Sequence, residues 1–113
     1  MINKDLLYVK DILKAIRSIE KYTDNLSQAS FGRDEEKQQL VLFNLQIIGE
    51  ASSHISPGIR KKHRDIEWSR LKRLRNFIVH EYFSVDYNYV WYTVRNYLPK
   101  LNKDIAAIEK EIE

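Results

Sequence analysis

From Val90 to Ile112 the apolar residues Val90, Trp91, Val94, Leu98, Leu101, Ile105, Ile108 and Ile112 recur at helical spacing. Only an α-helix gathers such positions into one stripe; a strand would scatter them over both faces. A stripe of this length must be covered, so the rest of the chain has to supply apolar helical surface of the same kind. It does. Leu6, Val9, Ile12, Leu13, Ile16 and Ile19 mark a first helix from about Asp5 to Tyr22. The polar stretch from Thr23 to Arg33, with Gly32, breaks that pattern, and Asp34, Glu35 and Glu36 provide an acidic first turn for the next helix. This second helix runs from about Asp34 to Ile55, with Leu40, Phe43, Ile47, Ile48, Ala51 and Ile55 read as its buried face. Ser56-Pro57-Gly58 interrupts it, and Pro57 suits the opening of a short basic helix. Leu71, Leu74 and Ile78 line a further helix from about Trp68 to Phe83. The last helix begins near Asp86, and Pro99 is expected to kink it. No segment alternates for long enough to suggest a sheet. The expected fold is all-α, an antiparallel up-and-down bundle of four main helices plus a short one, forming a single domain over residues 1–113.

A domain of 113 residues buries only a modest core, so pairing with a second copy would help it. The absence of cysteine excludes disulfides, thiol nucleophiles and thiolate metal sites. The start, Met1-Ile2-Asn3-Lys4-Asp5, carries charge, and no apolar run approaches the roughly 18 residues of a membrane span, so neither a signal peptide nor a span is expected and the cytoplasm is the expected location. The net charge is only +3, but it is unevenly placed. Arg60, Lys61, Lys62, Arg64, Arg70, Lys72, Arg73 and Arg75 oppose only Asp65 and Glu67, a local charge of +6 that leaves −3 for the remainder. Such a concentration attracts phosphate backbones, and Arg70, Lys72 and Arg73 are the candidate RNA-binding patch. The plain alternative is a solvated basic helix face.

The residue types narrow the chemistry. His54, His63 and His80 lack the spacing of a helical zinc pair. There is also no Gly-rich phosphate loop, no Gly-x-Ser-x-Gly elbow and no paired acidic motif of a two-metal nuclease. No metal or other cofactor is therefore expected, and catalysis falls to His, Arg and Tyr. These suit transesterification of RNA, whose ribose 2′-hydroxyl is its own nucleophile. Imidazole exchanges a proton near neutral pH, and guanidinium stabilises charge on phosphate oxygens. His80 and Arg75 are the candidates for those two roles, with Asn76 in support. On a helix Arg75 and His80 lie about 140° apart while Asn76 and His80 share a face, so a symmetric dimer that joins the residues of two copies would complete the site.

The run Leu74-Arg75-Asn76-Phe77-Ile78-Val79-His80-Glu81-Tyr82-Phe83, containing Arg-x4-His-x-Tyr, is followed by Val85-Asp86 and Trp91. Upstream stands Asn44-Leu45-Gln46-Ile47-Ile48-Gly49-Glu50-Ala51, and downstream Leu98-Pro99-x-Leu101. In these segments, which span most of the chain, the sequence resembles the HEPN superfamily and, within it, toxins of the HepT type. The resemblance implies a HEPN-fold dimer acting as a metal-independent endoribonuclease, the toxin of a toxin–antitoxin pair. Its partner would be a minimal nucleotidyltransferase antitoxin that silences the nuclease by transferring AMP to the motif tyrosine, here Tyr82. A bulky anion at that position would repel an RNA phosphate. Tyr82, seven residues after Arg75, is expected close to the same helical stripe, where a modified tyrosine would also occupy the arginine. Two positions depart from the usual pattern: Leu74 stands where relatives often have methionine, and Glu81 where they often have glycine. A carboxylate at Glu81 would repel RNA locally.

Each assignment has a structural competitor. His80 can be an ordinary helix residue, Arg75 a salt-bridge partner, and Tyr82 one more interface tyrosine beside Tyr87, Tyr89, Tyr92 and Tyr97. Glu50 is read as capping or pairing with an arginine, and Trp91 and Val94 as core or interface. The alternative function is a non-catalytic HEPN dimer that binds RNA or a nucleotidyltransferase.

Overall fold

The computed structural model describes residues 3–113, so the first two residues of the charged start lie outside it. The described residues form seven α-helices and no strand: α1 Lys4–Thr23, α2 Gln28–Gly32, α3 Glu35–Ser53, α4 Pro57–Lys62, α5 Trp68–His80, α6 Tyr87–Tyr92 and α7 Leu98–Ile112. A 3₁₀ turn at Tyr82–Ser84 follows α5, and a π turn at Thr93–Tyr97 joins α6 to α7.

The termini of the helices set the topology. Asp5 of α1 accepts the Ser56 N–H just past α3, and Asn3 donates to the Ile112 carbonyl at the end of α7, so α3 and α7 both run antiparallel to α1. Tyr82, beyond the end of α5, reaches Gln39 near the start of α3, which makes α3 and α5 antiparallel as well. The core lies between these layers. Val9, Ile12, Ile16 and Ile19 of α1 meet Leu45 and Ile48 of α3, Leu71 and Ile78 of α5, and Leu98, Leu101, Ile105 and Ile108 of α7, all essentially inaccessible. The expected bundle and its first, third and last apolar stripes are found. No helix among the described residues is long and apolar enough to cross a membrane.

Three local expectations are corrected, and the one at Pro99 is given a local geometry. The Thr23–Arg33 break contains α2, nucleated by a reciprocal Ser27–Ser30 capping box, and it buries Phe31 completely beside Tyr87 and Trp91. On α3, Phe43 is 65% exposed rather than buried, because Val41, Leu42, Leu45, Ile48 and Gly49 face the core instead. The third main helix stops at His80 and not Phe83. Beyond Ile78 the chain leaves the core, Phe83 is 99% exposed, and Asp86 opens α6 by accepting the Asn88 and Tyr89 N–H groups. Finally, Pro99 sits in the first turn of α7, with the π turn just ahead of it, where the Leu98 N–H reaches back to the Thr93 carbonyl. Proline has no N–H to offer the preceding turn, and a widened turn lets the run from Tyr87 to Ile112 continue.

Candidate active site

The crossing of α3 and α5 places the proposed machinery. A Cβ added at Gly49 would overlap Arg75 Cβ and lie 3.0 Å from the Leu71 carbonyl oxygen and 3.1 Å from Arg75 Cγ. Glycine is needed here for close backbone approach, since its φ is not in the left-handed region. That approach brings the half-buried Arg75 against Glu50: Nε lies 3.0 Å from Oε2. This is an ion-pair contact and not an aligned hydrogen bond, so the Arg75 Nε–H is left without a hydrogen-bond acceptor. Arg75 Nη1 donates to Asn76 Oδ1 at 3.0 Å. The other Glu50 oxygen lies 3.4 Å from His54 Nε2, and the His54 ring stacks on Tyr8. A connected row His54–Glu50–Arg75–Asn76 therefore spans the α3–α5 surface. The expectation that Glu50 pairs with an arginine is met. His54 was not anticipated; its spacing four residues after Glu50 on one helix was the available signal.

His80 is the last residue of α5, exposed and without a hydrogen bond or ion pair to the described residues. It stands about 7.5 Å along the axis from Arg75 and about 140° around it. One copy thus presents the two groups on different sides. Glu81 is exposed at the helix end. Tyr82 does not share a helical stripe with Arg75 as expected: it sits on the 3₁₀ turn, 38% exposed, its hydroxyl donating to Gln39 Oε1 and its ring edge-on to Phe83. The helix ends too early to carry it.

The three basic residues of the expected RNA patch are not side by side. Arg70 lies 4.1 Å from the Tyr97 ring centroid and pairs with Glu67 at 3.1 Å. Arg73, on the same side, donates to Ser69 Oγ and borders a groove with Leu74, Phe77 and Tyr89. Lys72 is on the other side of α5 and lines a cleft with Arg60, Lys61 and Arg64. Among the described residues, no group of three or more His, Asp or Glu side chains gathers as a metal site.

A family model described as "Ribonuclease HepT-like" matches residues 12–108. The chain belongs to the HepT-like ribonuclease family. Among its relatives, a Thermococcus cleftensis protein named "Probable ribonuclease HepT" is 35% identical over 103 residues, covering 91% of this chain and 94% of that one. A Methanocaldococcus jannaschii protein named "Putative RNase MJ0127" is 32% identical over 106 residues, covering 94% and 88%. A second protein of that organism, "Gamma-glutamylcyclotransferase and putative RNase MJ0434", is 31% identical over 107 residues; 95% of this chain aligns, but only 48% of that protein. No solved structure matches. The HepT-like match contains α3 and α5 entire and most of α7, and with them Glu50, Arg75, Asn76, His80 and Tyr82. Membership supports ribonuclease activity at the level of the family and agrees with the all-helical HEPN fold.

Proposed function

We propose that this HepT-like chain is a metal-independent endoribonuclease in which Arg75 and His80 act on the scissile phosphate. The observation that carries the reading is the braced guanidinium of Arg75 on α5, held by Glu50 of α3 and by Asn76, with the His80 imidazole at the end of the same helix unpaired among the described residues. His80 moves the proton between the ribose 2′-hydroxyl, the leaving 5′-oxygen and solvent, and Arg75 stabilises charge on the non-bridging oxygens. Asn76 positions Arg75.

The angular gap between Arg75 and His80 supports a symmetric homodimer. Phe77, Val79, Tyr82 and Phe83 are all exposed around His80, an apolar surface that a second copy would cover while bringing its own His80 toward the first copy's Arg75. The protein acts as the toxin of a toxin–antitoxin pair. Its nucleotidyltransferase antitoxin silences it by AMPylation of Tyr82, whose exposed position on a short turn leaves the phenol reachable once the Gln39 hydrogen bond opens.

The test is cleavage of total cellular RNA in EDTA by unmodified protein, comparing wild type with His80→Ala and Arg75→Ala. Loss of roughly two to four orders of magnitude in rate is expected for His80→Ala. Undiminished binding and no cleavage by wild type would replace the nuclease with a non-catalytic RNA- or nucleotidyltransferase-binding dimer. Mass spectrometry after co-expression with the antitoxin tests the modification, and an unchanged Tyr82 would remove that part of the reading.

A further inference from the structure

The C-terminal end of α3, the short α4 and the first turns of α5 enclose a cleft of about 550 Å³ that lies apart from Arg75 and His80. Arg60, Lys61, Arg64 and Lys72 line it around Trp68 and Ser69, and no carboxylate does. None of these four cations forms an ion pair with the described residues, whereas Lys62, Arg70, Arg75 and Lys100 all do. The Arg60 Nε is buried without a hydrogen-bond partner. Four like charges converging on one concavity repel one another, and an orphaned donor adds a desolvation cost, so the arrangement favours an anion from outside. Ser69 Oγ accepts from Arg73 and keeps its own proton to donate. The Trp68 ring is held in place by its Nε1–H, which donates to the His63 carbonyl at 3.0 Å.

Position supplies the second argument. Trp68, Lys72, Asn76 and His80 follow one another at intervals of four on α5, the spacing of a single surface ridge. The ridge winds about 120° around α5 between the cleft and the imidazole. Lys72 is about 12 Å and Trp68 about 18 Å from His80 along the axis. At about 3.4 Å per stacked nucleotide that distance is roughly three to five nucleotides.

We infer that the cleft is a second binding site for the RNA strand. It takes one nucleotide, with the phosphate among Arg60, Arg64 and Lys72 and the base stacked on Trp68, about three to five nucleotides from the bond that is cut. The distance to the cut rests on the nuclease reading above; the binding does not. A flat aromatic ring set among unpaired cations fits a base joined to a phosphate, while an acidic peptide would leave the ring without a matching partner.

The experiment uses full-length protein and 2′-O-methyl oligouridines of two, four, six and eight nucleotides, which cannot be cleaved through the 2′-oxygen. The expected result is saturable quenching of tryptophan fluorescence that strengthens sharply between two and six nucleotides and disappears in Trp68→Phe. In Arg60→Gln/Arg64→Gln the affinity for the longer oligomers should fall about tenfold, and the salt dependence should lose about 0.7 from its logarithmic slope, the contribution of one phosphate contact to a single strand. Circular dichroism checks that both variants fold as wild type. Affinity independent of length, or unchanged in the double arginine variant, would overturn the inference. So would tighter binding of oligoglutamate than of RNA of equal charge, which would assign the cleft to an acidic protein segment. Because the probe cannot be cut, a protein that proves not to be a nuclease would leave a positive result standing. A working nuclease with normal affinity in the double arginine variant would refute the cleft alone.

Discussion

Gly49→Ala sets two effects of opposite sign against each other. In the middle of a helix, alanine is better than glycine by about 1 kcal/mol, so propensity alone predicts a more stable protein. At Gly49 the new methyl would overlap Arg75 Cβ and press to 3.0 Å from the Leu71 carbonyl, well inside the roughly 3.5–4.0 Å of a relaxed contact. Neither neighbour is the free end of a flexible chain, so α5 itself must move away from α3. Overpacking of this kind costs about 1–3 kcal/mol before the propensity gain is set against it. A net loss of up to about 2 kcal/mol is expected, with a fall of up to several degrees in Tm for a domain of this size. Differential scanning calorimetry measures it, and Gly58→Ala is the control: no atom lies within 4 Å of a Cβ added there, and that variant should be neutral or slightly more stable. Since Arg75 rides on the displaced turn, RNA cleavage by Gly49→Ala should fall further than its stability does. A rise in Tm at Gly49 equal to that at Gly58 would refute the close crossing and the placement of Arg75 derived from it.

Glu50→Gln should change stability by less than about 1 kcal/mol, because the pair with Arg75 is largely exposed. The same variant should lower both kcat and KM for RNA, as Arg75 loses its brace and the site loses a negative charge; steady-state kinetics separate the two. Burial pushes the Tyr97 phenol up to about 12, with the Arg70 guanidinium working against it. Stability is therefore unaffected by this group below the phenol's unfolded value near 10 and falls as pH rises from there through about 12, so ultraviolet titration should show a late phenol that Tyr97→Phe removes. That variant should also be no less stable than wild type, because the Tyr97 hydroxyl is buried without a partner. Lys62, and after it His63, hold the Glu111 carboxyl below its ordinary range. Their tie between the α4 end and α7 is therefore complete above the unfolded carboxyl value and fails as pH falls through the lower folded one. The Tm difference between wild type and Glu111→Gln should vanish in acid.

The stripes that face a single neighbouring layer were legible in the sequence: Leu71, Leu74 and Ile78 on α5, and Val90 to Ile108 across the π turn, lie where periodicity puts them. Phe43 did not, because α3 is packed by α1 on one side and α5 on the other. Nearly every position from Leu40 to Ile48 is apolar, and period alone cannot choose the phase of such a run. Helix α2 was illegible because five residues hold less than two turns, although Ser27 and Ser30 were there to be read as a cap. Among the candidate site residues, Arg75 and Asn76 come together through a local hydrogen bond that adjacency in sequence made available. The separation of Lys72 from Arg70 and Arg73 follows from helical rotation, but which side faces which cleft depends on where α4 and α6 dock. Tyr82 was assigned to the wrong element because its helix ends at His80, two residues past the last core contact at Ile78, and not where helix-forming residues run out.

The carboxylate shared between His54 and Arg75 also makes the site choosy. A guanidinium that already has a counter-ion is a poor trap for stray anions: chloride, inorganic phosphate or a lone nucleotide must compete with Glu50 and gain little elsewhere to offset the exchange. A longer strand gains contacts along the rest of the surface, and only such a ligand can afford to share or displace the internal rival. On the proposed function, Glu50 thereby raises the threshold for engagement at Arg75 and favours polymers over small phosphates.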